Sequence, residues 1–563
     1  MAVAAGTYEE CISFDGKDIT VVGTDGSGST VIDAGGRCET AVTLSEGETA
    51  TLQGFTITNE SDRAIRSVGA TLEIDDIAVI DSGTVTADGT ALLVEGGVVT
   101  VRDSSFDNNY ADRGTVHVTA GGELIVDGCS FTSNGAYYGG AIYFAYDSST
   151  GASAGTITNS VFSGNTSYYD GSALYLDQYA TVTSQGNTYD SQSGTYNMGA
   201  GAYLYSYASL RSTDDTWSNN VAGRSDSYPG GALYLYLGAE LTVDGSSFDA
   251  NSASSGGAFY GVYDNVVDIR NSSFTDNGAT EGGGAIRMYM YADLTIADTD
   301  FSGNSTSLGS GGDLYIHSLD HLEITGSTFT DSTADTHGGS MYLGATSTTA
   351  TISSSTFTNS SATSGDGGAI HVSTHSDLSL DGVDFHNTSA YGDGGAIHAS
   401  LYVDLSLDDV VIDGATSVTG SGGGIYYDPQ DEHVYDLTIT DSHITECSAG
   451  LDGGAIYAEG ADQLTISGST LSDNSAASDR YGGALFAHGT DSLEIRTTEF
   501  CNNSARYGGG AYAIFTSSVD TWENNIFQEN VAAHYGGALY LGADYYNDLT
   551  NNTFVGNEAN YQG

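Results

Sequence analysis

Two segments of the chain carry aspartate and histidine at the same spacing, and these residue types could hold a metal ion. Residues Asp366 to His371 read Asp-Gly-Gly-Ala-Ile-His, and Asp393 to His398 repeat that sequence. If the segments stack as neighbouring coils, equivalent side chains lie about 5 Å apart, the spacing of adjacent strands. Two carboxylates at this separation favour a bound cation or a raised carboxyl pKa. The four residues are therefore predicted ligands for calcium or a transition metal, and the alternative is a pair of solvated repeat positions.

A column of aromatic residues is the second candidate site. The motif Gly-Gly-Ala, then an apolar residue, then tyrosine or histidine recurs along most of the chain. Because neighbouring residues of a strand point to opposite faces, an inward apolar residue leaves the tyrosine pointing outward. Such a column could bind a glycan, a protein or a second copy of the chain; it is also what a repeat produces without any ligand. The predicted binding tyrosines are Tyr143, Tyr175, Tyr203, Tyr234, Tyr260, Tyr315, Tyr342, Tyr426, Tyr457, Tyr512 and Tyr540.

No residue pattern indicates a catalytic site. The sequence lacks a nucleophile elbow, a phosphate-binding loop and the spacing of a zinc site. A lyase that acts on acidic sugars needs basic residues beside its substrate, whereas 13 Lys+Arg are spread over 563 residues. A glycosidase needs two carboxylates, and no pair among the 73 Asp+Glu stands out. We therefore predict a protein that is not an enzyme, with a carbohydrate-active enzyme as an alternative.

The charge balance limits the partners that the protein can have. Acidic residues outnumber basic ones so strongly that the net charge is −60. Nucleic acids bind through clustered lysine and arginine, and an acidic surface repels anionic membranes and polyanions. The sequence also has no apolar run long enough to span a bilayer. We predict no nucleic-acid partner and no direct membrane insertion.

Two motifs alternate with a period of roughly 25 to 32 residues, which is typical of a solenoid. The first motif is an aromatic or large apolar residue followed three positions later by asparagine, as in Phe106 and Asn109. An inward aromatic ring stacks on its equivalent in the next coil, and a repeated asparagine can form an amide ladder. The second motif, Gly-Gly-Ala, permits a tight turn or a close backbone approach. The predicted structural ladder comprises Asn109, Asn134, Asn165, Asn220, Asn251, Asn277, Asn304, Asn474, Asn503, Asn530 and Asn557.

Short strands with alternating apolar residues fill each period, and no segment has a helical period. Strands that recur once per coil run parallel to their equivalents, and parallel crossovers are almost always right-handed. The sequence predicts an all-β fold, a single right-handed parallel β-helix over residues 1–563 with about twenty coils. Residues 1–100 form the opening coils and residues 101–563 the repeats, and we expect the chain to stop within a repeat. Cys11 and Cys38 lie one repeat length apart, so stacking could bring them within disulfide distance.

The paired motifs resemble those of a known family. The alternation of Phe-x-x-Asn and Gly-Gly-Ala-Ile over about residues 100–563 is similar to the repeats of the polymorphic outer membrane proteins of chlamydiae and related bacterial surface proteins. The resemblance implies a secreted protein displayed at the cell surface, often an adhesin. We therefore expect an extracellular adhesin, passenger or rigid stalk, with a subunit of an extracellular filament or sheath as an alternative. Four coils depart from the pattern and carry Ser332, Ser360, Thr388 and Cys447 in place of asparagine.

Overall fold

The described part of the chain consists of β-strands and irregular segments, without an α-helix. It divides into two compact units, Met1–Gly278 and Ala279–Gly563, and strands of successive coils pair in parallel within each unit. The predicted all-β parallel β-helix of about twenty coils is confirmed. The computed structural model describes residues 1–45, 47–58, 62–223, 227–344, 350–430, 434–515, 520–542 and 547–561. No helix in these ranges has the length and hydropathy needed to cross a bilayer.

Most coils contribute two strands to one sheet, which we call the long sheet. Its strands alternate inward and outward residues: in Glu123–Asp127, the side chains of Leu124 and Val126 are buried while their neighbours are exposed or half-buried. This alternation of apolar and polar residues is the period-two pattern of a half-buried strand. In the first unit the long sheet runs from Ala2–Val3 to Ser273–Thr275. In the second unit it runs from Asp293–Ala297 to Thr553–Val555.

A second sheet, the column sheet, carries the residues that follow Gly-Gly-Ala. In the first unit its strands are Ile12–Ser13, Thr40–Leu44, Arg63–Val68, Leu92–Glu95, Val116–Thr119, Ile142–Phe144, Leu174–Leu176, Ala202–Leu204, Leu233–Leu235 and Phe259–Gly261. In the second unit they are Ile286–Tyr289, Leu314–His317, Met341–Leu343, Ile370–Val372, Ile397–Ser400, Ile425–Asp428, Ile456–Glu459, Leu485–His488, Ala511–Ile514 and Leu539–Leu541.

A third set of strands, the short sheet, lies between the asparagine and the Gly-Gly pair. In the first unit, four of these strands form one sheet, Tyr110–Arg113, Gly135–Tyr138, Thr166–Ser167 and Ser193–Gly194, and Ser252–Ser255 is a further strand of the set. In the second unit they are Ser305–Thr306, Thr333–Ala334, Ser361–Ala362, Ser389–Ala390, Thr416–Ser417, Ser448–Ala449, Ser475–Ala476, Ser504–Tyr507, Val531–Tyr535 and Glu558–Ala559.

The aromatic residues of the Phe-x-x-Asn motif form a stacked core. The ring centroids of Phe131 and Phe162 lie 4.6 Å apart, and those of Phe329 and Phe357 are also 4.6 Å apart. All four rings are buried, so each coil covers the aromatic face of its neighbour. Face-to-face contact at the spacing of adjacent strands explains why an aromatic residue recurs at this position.

A bend stabilised by asparagine follows many of the stacked rings. The residue before the asparagine adopts a left-handed backbone, as at Ser133 with φ 55°. The buried Asn134 then contacts three coils: its Nδ2 donates to the Phe106 carbonyl oxygen at 2.9 Å and to Oδ1 of Asn165 at 3.0 Å. The backbone N–H of Asn134 also donates to that Oδ1, at 3.0 Å. The amide therefore satisfies backbone groups that would otherwise be buried without partners.

The two glycines of Gly-Gly-Ala have different roles. Gly367 has φ +70°, a left-handed conformation that glycine adopts without strain. At Gly368, an added Cβ would lie 1.9 Å from the carbonyl oxygen of Gly395 in the next coil. The first glycine therefore permits the turn, and the second permits the close approach of successive backbones.

Candidate functional site

The predicted asparagine ladder is present in both units. Amide-to-amide hydrogen bonds of 2.9–3.0 Å join Asn109, Asn134 and Asn165, then Asn220, Asn251 and Asn277, and in the second unit Asn474, Asn503, Asn530 and Asn557. Gln192 takes the asparagine position in one coil of the first unit and accepts the N–H of Asn165 at 3.0 Å. Asn304 instead donates to Oδ1 of Asp313 at 2.9 Å. These residues are part of the fold rather than of a binding surface.

The predicted aromatic column is a continuous stack within each unit. In the first unit, centroid separations are 4.6 Å for Tyr143 and Tyr175, 5.0 Å for Tyr175 and Tyr203, and 5.1 Å for Tyr203 and Tyr234. In the second unit the stack includes Tyr315, Tyr342, His371, His398, Tyr426, Tyr457, Phe486, Tyr512 and Tyr540.

The expected exposure of this column is not found in the first unit. Tyr143, Tyr175, Tyr203 and Tyr234 are only 6–8% exposed. Each ring covers the face of the next, and Tyr138 packs edge-on against Tyr175 at 5.8 Å. Burial raises the pKa of all four column phenols well above their usual range. The flat ring faces that a ligand would need are occupied by neighbouring rings.

The predicted metal ligands lie in adjacent coils of the second unit. His371 and His398 stack with their centroids 4.5 Å apart. Oδ1 of Asp366 accepts the N–H of Asp393 at 2.8 Å, and Oδ1 of Asp393 accepts the N–H of Ser421 at 2.6 Å. Each carboxylate therefore supports the backbone of the next coil, which is a structural role for one of its oxygens.

The ligand atoms that converge belong to His337, Asp366 and His371, and they lie within 4.8 Å of one another. Asp393 and His398 are outside this group. Sequence analysis missed His337, although a signal was present: it directly precedes a Gly-Gly pair, the position that Asp366 and Asp393 occupy in their coils.

A groove with exposed tyrosines runs along the short sheet of the first unit. Its floor consists of small residues that pair across the strands: Gly135 pairs with Thr166 and Ala136 with Ser167, and Thr166 and Ser167 pair with Ser193 and Gly194. Small side chains leave a cavity of about 590 Å³ above the strands, within the size range of small-ligand sites.

Tyrosines form the walls of this groove, which we call the tyrosine groove. Tyr110, Tyr137 and Tyr168 line it and are 36–46% exposed. The rings of Tyr137 and Tyr168 meet edge to face at 5.5 Å, and Tyr168 meets Tyr196 in the same way at 5.2 Å. Such mutual contacts restrict the rings, so a ligand would meet partly ordered aromatic surfaces.

The groove was not predicted, although its tyrosines follow the repeat. Tyr137 and Tyr168 come three residues after Asn134 and Asn165. No charged residue appears among the described residues that line the groove, although 15% of the chain is charged. The tyrosine groove is thus a neutral surface on a strongly acidic protein.

A polar cleft of about 560 Å³ lies beside the column sheet of the same unit. It brings together Arg63, Asp88, Arg113 and His117 from successive coils. Nδ1 of His117 lies 3.9 Å from Oδ2 of Asp88 and 3.3 Å from the carbonyl oxygen of Arg113. Sequence analysis described the basic residues as spread along the chain, but stacking places two arginines in one cleft.

Burial governs the electrostatics of this polar cleft. It raises the pKa of Asp88 against the opposing effect of Arg113 and Arg63, and it lowers the pKa of His117 to about 4. Oδ1 of Asp88 is buried without a hydrogen-bond partner. A carboxyl group with a raised pKa beside cationic side chains is an arrangement suited to acid–base chemistry.

The fold and the sequence together define the class of the protein. The chain belongs to the family described as the right-handed beta helix region, whose model matches residues 40–222, 218–390 and 368–558. This family includes the β-helix repeats in general and does not single out the chlamydial type.

Two solved structures of one enzyme match nearly the whole chain at low similarity. The PL6 family alginate lyase AlyGC is 12% identical with a TM-score of 0.24, and the match covers 98% of this chain and 97% of that one. A point mutant of the lyase is 10% identical with a TM-score of 0.29 and the same coverage. Similarity at this level identifies no activity. No curated protein matches the chain.

Proposed function

We propose that the protein is a non-catalytic, extracellular or cell-surface β-helix protein that binds a neutral glycan in the tyrosine groove. The observation that carries the proposal is the groove itself, an uncharged channel walled by exposed tyrosines on a chain of net charge −60. An acidic surface disfavours anionic polysaccharides, so the ligand that suits the protein is neutral.

The chemistry of the groove matches a sugar ring. Exposed faces of Tyr137 and Tyr168 offer apolar surfaces for the C–H groups of a pyranose. The hydroxyl groups of Thr166 and Ser193 on the floor offer hydrogen bonds to sugar hydroxyls. Aromatic walls above a few polar groups are the usual composition of a small-ligand site.

The disulfide between Cys11 and Cys38 supports an extracellular setting. The two residues are bonded, with their Cα atoms 6.5 Å apart. Disulfides persist in oxidising compartments and are rare in the cytosol. The high acidic charge suits an environment in which cations screen it.

Binding of neutral oligosaccharides, measured by a glycan array and then by calorimetry, tests the proposal. Tyr137→Ala and Tyr168→Ala should each weaken binding by roughly tenfold, the effect of losing about 1.4 kcal/mol at a buried aromatic contact. Tyr391→Ala is the matched control, because Tyr391 is 52% exposed and follows Thr388 by the same three residues in the second unit. Binding that is equal in all three variants, or the absence of neutral-glycan binding, would refute the proposal.

The polar cleft supports a second candidate function, a carbohydrate-active enzyme. The cleft is lined by six carboxylates and two arginines, which suits a neutral sugar better than an acidic one, and Asp88 could donate a proton to a leaving oxygen. The test is product release from acidic and neutral polysaccharides, measured by reducing ends and by absorbance of unsaturated sugars. Activity that Asp88→Asn abolishes and Asp249→Asn, at an exposed aspartate of the same unit, leaves unchanged would favour this function over the binding protein.

A further inference from the structure

Three potential metal ligands converge in the second unit, outside the tyrosine groove and the polar cleft. Nδ1 of His337 lies 3.4 Å from Oδ2 of Asp366, and one ligand atom each from His337, Asp366 and His371 falls within 4.8 Å of the others. Bonds of about 2.1 Å in tetrahedral geometry place ligand atoms about 3.4 Å apart. Nδ1 of His337 and Oδ2 of Asp366 already have that separation. His371 requires a small side-chain adjustment.

The donor atoms are oriented by the surrounding backbone. Oδ1 of Asp366 is engaged by the N–H of Asp393, which directs Oδ2 toward His337. Nδ1 of His337 accepts the N–H of Asp366 at 3.2 Å, so a metal ion bound at this nitrogen would replace that hydrogen bond. Its ring is 37% exposed, which leaves a route from solvent.

His371 has a buried nitrogen that a metal ion could satisfy. The residue is only 7% exposed, and its Nδ1 has no hydrogen-bond partner. A buried polar nitrogen without a partner is costly. The ring is held between Tyr342 at 5.3 Å and His398 at 4.5 Å, so its position is fixed before any ligand binds.

We propose that His337, Asp366 and His371 bind one divalent transition-metal ion of the zinc, cobalt or nickel class. Two imidazoles and one carboxylate favour these metals, whereas calcium prefers oxygen ligands alone. Water completes the coordination. Because His337 belongs to one coil and the other ligands to the next, the ion joins successive coils of the second unit.

Calorimetric titration with zinc in the presence of excess calcium tests the site, since calcium occupies non-specific carboxylates on the acidic surface. We expect one saturable zinc site per chain. His337→Gln and His371→Tyr should each weaken it by roughly tenfold or more, since even second-shell substitutions can produce such a loss. His371→Tyr preserves the aromatic stack, because Tyr342 and Tyr426 occupy the same column position in nearby coils.

The matched control is His386→Gln. Nδ1 of His386 lies 3.7 Å from Oδ2 of Asp413, and the exposed fraction of the His386 side chain, 38%, is close to the 37% of His337. That pair lies outside the converging group, so the substitution should leave zinc affinity unchanged. Cobalt bound at the site should also show the intense visible absorption of a tetrahedral centre, and His337→Gln should abolish it. No saturable zinc binding, or binding that survives both ligand substitutions, would overturn the proposal.

Discussion

Replacing Asp313 with asparagine should stabilise the second unit above neutral pH. Asp313 takes the place of alanine in a Gly-Gly-Ala motif, so its side chain points inward and is fully buried. Nδ2 of Asn304 donates to Oδ1 at 2.9 Å, whereas Oδ2 is buried without a partner. Burial raises the pKa of this carboxyl from 3.8 to about 7.

The sign and size of the effect follow from that shift. A carboxyl with a raised pKa in the folded state binds more protons when folded, so its contribution to stability falls as pH rises from about 4 to 7. Relative to acid conditions where Asp313 is protonated in both states, its raised pKa destabilises the folded state by about 2 kcal/mol at pH 5 and about 4 kcal/mol at pH 8. Asparagine keeps the shape and removes the charge, so the variant gains these amounts.

Thermal unfolding followed by circular dichroism between pH 5 and pH 9 measures the difference; the sequence pI is about 4.1, so the range stays above it. We expect the melting temperature of Asp313→Asn to exceed that of the wild type by about 8 °C at pH 8 and by less at pH 5. Asp293→Asn, at an exposed position of the same unit, should show no such trend. If the melting temperatures of the wild type and Asp313→Asn differ by the same amount at every pH, ionisation of Asp313 does not destabilise the folded state.

Two further predictions concern the fold. Cys11→Ser should lower the free energy of unfolding of the first unit by about 3.5 kcal/mol, because the disulfide closes a loop of 27 residues. Chemical denaturation measures this free energy, and an unchanged value would contradict the prediction. Gly368→Ala should destabilise the second unit by roughly 3 kcal/mol, because its Cβ meets the carbonyl oxygen of Gly395. Gly28→Ala, whose Cβ meets no atom within 4 Å, is the control in the same denaturation assay and should change little; equal losses in both variants would refute the reasoning.

Contacts between equivalent residues of successive repeats were predictable from the sequence. The stacked Phe131 and Phe162, the amides of Asn134 and Asn165, and the glycines before each column strand recur at a fixed spacing, and stacking places equivalents together. The same reasoning placed Cys11 and Cys38 in adjacent coils before the disulfide was known.

Features that depend on exact coil length and on neighbouring turns were not predictable. The burial of Tyr175 depends on rings from both adjacent coils and on Tyr138 at the end of a short-sheet strand. Arg63 and Arg113 share a cleft because intervening coils have lengths that place them on one side. A pattern of residue types gives the side of a strand on which a residue lies, whereas exposure depends on everything that packs beside it.

The asparagine ladder has a consequence for how such a chain can change in length. Along the ladder, the backbone N–H of one asparagine donates to the amide oxygen of the next, as that of Asn474 does to Asn503 at 3.0 Å, while Nδ2 of Asn503 donates back to the carbonyl oxygen of Leu471. Removal of one whole repeat would bring the ladder amides of the two flanking coils next to each other. Removal of half a repeat would leave buried N–H donors without acceptors. Viable insertions and deletions are therefore expected in whole coils, so the length of either unit changes in steps of one strand spacing, about 4.8 Å.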